Sequence, residues 1–87
     1  MLQDELNYNK GYIIMRLIPI SHNMTELTFS DKSVLFSYKT PVAGHDQTGP
    51  FRTDQQYSKT TTKHINKYLG HGIGRVVPQS YIEEITS

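Results

Sequence analysis

The chain contains no cysteine and no tryptophan among its 87 residues. Without cysteine it has no disulfide framework and no thiolate, a composition that suits a reducing cytoplasm. The longest apolar run, residues 12–20, is interrupted by Arg16 and Pro19 and is too short to span a membrane. The first residues also lack the basic and apolar regions of a signal peptide. These absences predict a cytoplasmic protein without disulfides or a membrane span.

Neither sign of charge dominates, because nine Lys and Arg residues face eight Asp and Glu residues, for a net charge of +1. This balance disfavours a DNA mimic, which needs dense carboxylates, and it gives no chain-wide basic signature for nucleic acid. Residues 52–75 nevertheless hold five basic side chains and one acid, a local charge of +4. A local basic patch is therefore predicted.

The hydrophobic pattern predicts one small α+β domain. Apolar residues make up 36% of the chain, enough for one core in residues 12–87, while the polar residues 1–11 are predicted to be an N-terminal tail. Period-2 alternation over residues 25–30 and 34–38 predicts an antiparallel hairpin. The prolines and glycines of residues 41–50 predict a mobile loop over 42–50, and the polar residues 51–57 predict an edge strand.

One main helix is predicted after this strand. Ser58 is a suitable N-cap, with Thr60 as the competing position, and Gly70 is well placed to end the helix. An apolar stripe would pack on the sheet; it consists of Thr61, Ile65, Tyr68 and Leu69. Ser80 and Glu83 have capping-box spacing, which predicts a short C-terminal helix, Tyr81–Thr86, beside the main one. The predicted fold is a small antiparallel sheet of three to four strands packed against one main helix, plus this short helix.

A basic ridge is the first candidate binding surface. Lys59, Lys63 and Lys67 lie at i, i+4 and i+8, opposite the apolar stripe. Such rows are usually solvated surface; the alternative is contact with phosphate or with an acidic protein surface, in a patch extended by Arg52 and Arg75. The candidate exposed aromatics are Phe51 and Tyr57, on the polar strand.

The sequence contains only partial matches to motifs that carry catalysis or bind a cofactor. His45 and Asp46 could form a general base or a metal-ligand pair, but no metal-ligand spacing accompanies them. The hydroxyls of Ser58 and residues 60–62 lie near His64 without a third orienting group. The glycines at 70, 72 and 74 follow a helix, whereas a phosphate loop precedes one. The sequence therefore predicts no catalytic residues, no metal, no cofactor and no enzymatic activity.

The segment VLFSYKTPVA (residues 34–43), followed by FRTDQQYSKTTTKHINKYL (residues 51–69), resembles a family of small uncharacterised proteins and domains of tailed bacteriophages. That family combines an LFSY-x-TPVA strand, an aromatic-Arg-Thr element and a KHIN-type helix. The matching residues are 35–43, 51–53 and 60–69, and residues 27–34 also fit. The resemblance implies a phage gene expressed in the host cytoplasm, and it brings no activity.

The expected function is that of a small phage accessory protein that binds a host or phage macromolecule, for example as an inhibitor of host machinery. A protein partner is the first expectation. Nucleic acid held by the basic ridge is the alternative, and no membrane association is expected.

Overall fold

The computed structural model describes residues 5–7 and 14–87. The strands in this part of the chain are β1 (Glu5–Asn7), β2 (Ile14–Ser21), β3 (Met24–Thr28), β4 (Ser33–Ser37), β5 (Thr40–Asp46), β6 (Gly49–Thr53) and β7 (Arg75–Val77). The helices are α1 (Lys59–Leu69), between β6 and β7, and α2 (Gln79–Thr86), after β7. Of the predicted tail, only β1 lies within the described residues.

The seven strands form one sheet, and their spatial order is their order along the chain. Each strand from β1 to β5 pairs antiparallel with the next. β7 instead pairs parallel with β6. This pairing is feasible because α1, which lies between the two strands in the chain, returns the chain to the end of the sheet where β6 begins. The sheet is therefore mixed, and α1 is its crossover helix.

Both faces of the sheet carry a helix. Val34 and Leu35 are adjacent in β4 and are both 0% exposed, although neighbouring strand residues point to opposite faces. Leu35 packs in a cluster with Ile65 of α1, and Val34 packs in a second cluster with Ile82 of α2. The domain thus has three layers and two small cores.

The predicted sheet of three to four antiparallel strands against one main helix is wrong. Residues 42–50, predicted to be a mobile loop, form most of β5, a two-residue turn and the start of β6. Val42 and Ala43 in this stretch are fully buried. The predicted edge strand is β6, an interior strand between β5 and β7. The C-terminal helix packs on the face opposite α1, not beside it.

Gly44 shows why a segment rich in glycine and proline can be a buried strand. A Cβ at this position would lie 2.1 Å from the Ser33 carbonyl oxygen and 2.7 Å from the ring of Phe51. Glycine therefore permits a close approach between β4, β5 and the Phe51 side chain. From the sequence alone, a glycine in this position is typical of a loop.

The predictions for α1 are confirmed. The hydroxyl of Ser58 accepts the Thr61 N–H at 3.1 Å, so Ser58 is the N-cap. Thr61 and Ile65 are buried against the sheet, and the helix ends at Gly70, which has a φ of 107°. The short C-terminal helix also exists, but it begins at Gln79.

The capping box predicted for this second helix is wrong. The N-cap of α2 is Pro78, and no side chain caps the helix. The Ser80 hydroxyl therefore does not start α2, although its spacing from Glu83 fits the motif. Gln79 instead joins the helix to the sheet by donating from Nε2 to the Pro41 carbonyl at 2.8 Å.

Two hairpin turns meet at the end of the sheet where α1 begins. His22 and Asn23 join β2 to β3, and Tyr38 and Lys39 join β4 to β5. The Tyr38 N–H donates to the Asn23 carbonyl at 2.8 Å and so holds the two turns together. We call these four residues the turn corner.

Candidate functional site

The outward face of α1 carries Lys59, Lys63 and Lys67, and all three are exposed. They lie opposite Thr61 and Ile65, the buried residues of the helix. Within residues 14–87 the ion pair recorded is that of Arg75 with Asp46, so these lysines have no carboxylate partner there. Each ammonium group is thus available to an anionic ligand. Of the residues in the predicted basic patch, these three lysines share one surface, the outward face of α1.

Beneath the lysines, α1 is joined to β4 by a chain of hydroxyl groups. Ser58 Oγ lies 3.2 Å from Thr61 Oγ1, which lies 3.1 Å from Ser37 Oγ. Ser37 Oγ in turn lies 2.7 Å from Nδ1 of His64. If Ser58 donates to Thr61, Thr61 to Ser37, and Ser37 to His64, each of the three hydroxyl protons has an acceptor. The chain therefore ends at Nδ1 of His64.

A serine beside a histidine suggests a nucleophile, but this pair is not placed for one. Ser37 is 2% exposed, so its hydroxyl has no room to meet a substrate. The hydroxyls singled out in the sequence serve the same network: Ser58 caps α1 and Thr61 links Ser58 to Ser37. The geometry supports a structural role for this group.

Tyr38 is the most unusual residue near this network. It has a φ of 59°, a region that non-glycine residues seldom adopt and that bulky residues adopt at a cost. In a two-residue hairpin with positive φ at the first position, glycine is the preferred residue there. The Tyr38 side chain is 52% exposed, and its ring lies 5.7 Å from the imidazole of His64 between centroids. A strained turn thus presents an aromatic ring to solvent beside α1.

Arg52 does not belong to the basic ridge. Its Nε donates to the Ile73 carbonyl at 2.9 Å, and its Nη2 donates to that carbonyl, to Asn66 Oδ1 and to the Gly70 carbonyl. Five N–H groups in a fixed fork suit this clamp, which fastens the loop after α1 to β6. The predicted role of Arg52 in a patch with the lysines is therefore not supported by its contacts.

Arg75 lies on the other face of the sheet. Its Nη2 is 3.0 Å from Asp46 Oδ2 and 3.0 Å from the Tyr81 hydroxyl, and its guanidinium lies 5.7 Å from the centre of the Phe51 ring. The Tyr81 hydroxyl also donates to Asp46. This cluster fastens the β5–β6 turn to β7 and α2, so Arg75 is engaged within the fold.

Asp46 is the acid of that cluster. Partial burial alone would raise the pKa of its carboxyl, but hydrogen bonds from Tyr81, Arg75 and the Thr48 N–H outweigh burial and hold the pKa below its usual value. The predicted partner His45 faces elsewhere, with Nδ1 3.4 Å from Ser33 Oγ and its ring 5.4 Å from that of Tyr68. His45 and Asp46 therefore do not act as a pair.

Tyr68 extends the polar contacts under α1, and nothing in the sequence indicates these contacts beyond the place of Tyr68 on the apolar stripe. Its hydroxyl donates to Glu26 of β3 and lies 3.0 Å from Ser33 Oγ. Burial, followed by the hydrogen bond to Glu26, raises the pKa of the Tyr68 hydroxyl well above its usual range. Tyr68 thus stays protonated and ties α1 to two strands.

The two aromatic residues predicted to be exposed differ in their burial. Phe51 is 0% exposed and fills the core on the α2 face, so that prediction is wrong. Tyr57 is 46% exposed and precedes the N-cap of α1. Burial, and then the negative charges of Glu83 and Asp54, raise the pKa of the Tyr57 hydroxyl. Tyr57 also lines a pocket with Lys59 and Lys63 at the start of α1.

Other chemistry finds little support in the described residues. Among them there is no group of three or more His, Cys, Asp and Glu side chains placed to hold a metal ion. In the loop containing Gly70 and Gly72, two carbonyls point at Arg52. A phosphate cradle needs backbone N–H groups turned inward instead. In the described part of the chain, no helix is both long and apolar enough to cross a membrane.

Residues 15–84 match the model of a Family of unknown function (DUF8033). The chain belongs to this family. The match covers most of β2 and α2 and everything between them, and therefore includes α1, the turn corner and the hydroxyl chain. No curated protein and no solved structure matches the chain. Membership of DUF8033 brings no assigned activity, so function has to be argued from the geometry.

Proposed function

We propose that this is a small bacteriophage accessory protein that acts by binding an anionic macromolecule of the host or of the phage, in the host cytoplasm. The phage origin is supported by the resemblance of residues 27–43 and 51–69 to the phage pattern. Binding is supported by the outward face of α1. Host machinery is a suitable target for an accessory protein of this size, and inhibition is the expected consequence.

The observation that carries the proposal is the unpaired state of Lys59, Lys63 and Lys67 on a firmly held helix. α1 contains no acid, and no ion pair to the described residues neutralises its lysines. Ser58, Thr61 and Tyr68 fix the helix to the sheet through side-chain hydrogen bonds. The lysines are therefore displayed on a rigid support, which lowers the entropy cost of binding.

The basic side and the acidic side of the molecule are separated. α1 lies on one face of the sheet with its three lysines, whereas α2 lies on the other with Glu83 and Glu84 and no basic residue. An acidic partner would therefore be steered toward α1 and away from α2. This separation is hidden in a net charge of +1.

Catalysis is not part of the proposal. The Ser37–His64 pair is the arrangement closest to a catalytic one, and the nucleophile would be the buried hydroxyl. The other hydrogen-bonded and ion-paired side chains on the two faces of the sheet hold strands and helices together, and this structural role accounts for them. Two partner classes fit the lysines: an acidic protein surface, which the sequence favoured, and the phosphates of a nucleic acid.

Retention on a heparin matrix, a sulfated polyanion, tests the proposal. The variant with Lys59→Gln, Lys63→Gln and Lys67→Gln is expected to elute at clearly lower salt than the wild type. A control variant, Lys32→Gln, removes charge outside α1 and the turn corner and is expected to shift elution less. Equal elution of the wild type and the triple variant would refute the proposal.

A further inference from the structure

Tyr38 has an unfavourable backbone conformation, and its exposed ring contributes little to the hydrophobic core. The residue holds a φ of 59° while leaving half of its side chain in solvent. In the neighbouring turn the positive φ falls on the second residue, and asparagine, which tolerates this region, stands there: Asn23 has a φ of 61°. Strained residues of this kind persist where the surrounding structure holds them, and they cluster at binding sites. The exposed ring of Tyr38 is thus a candidate binding feature.

Basic residues adjoin Tyr38 in its turn and on α1. Lys39 follows it in the turn, and the ring of His64 on α1 lies against it. Lys63 precedes His64 in the helix, and Lys67 follows His64 by three residues, a spacing at which helix residues are neighbours. Glu26, a carboxylate of β3 on this face of the sheet, accepts a hydrogen bond from the Tyr68 hydroxyl. That carboxylate is therefore engaged within the fold.

We infer that the turn corner and α1 together bind single-stranded nucleic acid, with one base stacked on Tyr38 and flanking phosphates held by Lys39, Lys63 and Lys67. This inference rests on the proposed function and names its partner class. Single strands are bound by combining aromatic rings, on which bases stack, with basic side chains that follow the backbone. A duplex keeps its base faces stacked inside and offers no such face to the ring.

Tyr57 is almost equally exposed but lies outside the turn corner. It lines a pocket with Lys59 and Lys63 at the start of α1, and the negative charges of Glu83 and Asp54 also act on its hydroxyl. Its backbone does not have the positive φ of Tyr38. The two tyrosines therefore form a pair for experiment, because they share side chain and exposure but differ in backbone conformation and in place on the surface.

The test is a fluorescence-anisotropy titration of the whole chain with labelled oligothymidylate and oligouridylate. Tyr38→Ala is expected to weaken binding roughly 5- to 150-fold, the loss typical for one stacked base. Tyr38→Phe keeps the ring and is expected to bind as the wild type does. Tyr57→Ala, at the other exposed tyrosine near α1, is expected to weaken binding less than Tyr38→Ala does. Lys63→Gln is expected to lower the log–log salt slope by about 0.7, one phosphate on a single strand.

A polyanion without bases separates this inference from the proposed function. Inorganic polyphosphate is expected to bind more weakly than oligothymidylate and to be insensitive to Tyr38→Ala. Equal binding of oligothymidylate by the wild type and by Tyr38→Ala, with circular dichroism showing both folded, would overturn the inference. So would equal affinity for a duplex, or no binding to either oligonucleotide at low salt. In those cases the heparin result still decides the proposed function on its own.

Discussion

The hydroxyl of Ser37 lies 2.7 Å from Nδ1 of His64, across the contact between β4 and α1. Replacing this hydroxyl with hydrogen in Ser37→Ala would leave Nδ1 and the Thr61 hydroxyl without their buried partner. A lost partner at a buried site costs about 1–3 kcal/mol. Urea unfolding should therefore show a loss of this size. Ser30→Ala, at an exposed turn residue, is the control and should be near neutral; an equally small effect of Ser37→Ala would contradict the network.

Two phenylalanines of the α2 face should respond differently to truncation. Phe51 is 0% exposed, whereas Phe36 is only partly buried against the same cluster. Phe51→Ala is expected to lower the free energy of unfolding by about 3–5 kcal/mol, the range for a fully buried ring. Phe36→Ala, although its strand position marks it as core, should cost less. Denaturant melts of both variants check the order, and the reverse order would contradict the assignment of the core.

Gly44 should tolerate no side chain. In Gly44→Ala the new Cβ would meet the Ser33 carbonyl at 2.1 Å, so the backbone of β5 would have to move. Overpacking of this kind costs about 1–3 kcal/mol. Gly72→Ala is the informative comparison, because nothing lies within 4 Å of a Cβ there and its cost comes from a φ of 73° alone. A smaller loss for Gly44→Ala than for Gly72→Ala would argue against the close approach of β4 and β5.

Stability should depend on the ionisation of Asp46. Its pKa in the folded protein lies below the ordinary value of 3.8, so its contribution is fully present above that pH and is lost as the pH falls through the folded pKa. Asp46→Asn should therefore destabilise the protein at about pH 7, and the difference from the wild type should shrink toward about pH 3. Urea melts across this range measure it. Asp31→Asn, at an exposed turn, is the control for removing a carboxylate and should change stability little at about pH 7. A constant difference between Asp46→Asn and the wild type would contradict the account.

Local signals in the sequence were reliable guides to local structure. Ser58 caps α1 and Thr61 and Ile65 face the sheet, as hydroxyl position and helical spacing predicted. The hairpin of β3 and β4 followed from period-2 alternation. These features depend on residues close in sequence, so one segment contains the information.

The width of the sheet and the roles of the arginines could not be predicted this way. The close contact that makes Gly44 a strand residue comes from Ser33 and Phe51, and the acceptors of Arg52 come from the end of α1 and the loop after it. The Tyr38 turn was also invisible, because alternation runs through it and no glycine or asparagine marks it. Contacts between segments decide these features, and the sequence pattern does not record them.

The most direct test of the account is an amide chemical-shift map of the whole chain, recorded by NMR while a sulfated oligosaccharide is added. If the outward face of α1 is the binding surface, the largest shifts should fall on Lys59, Lys63 and Lys67 and their neighbours in the helix. Arg52 and Arg75 should move little, because their guanidinium groups are engaged within the fold. Largest shifts at the two arginines or on α2, or no shifts at low salt, would contradict the account.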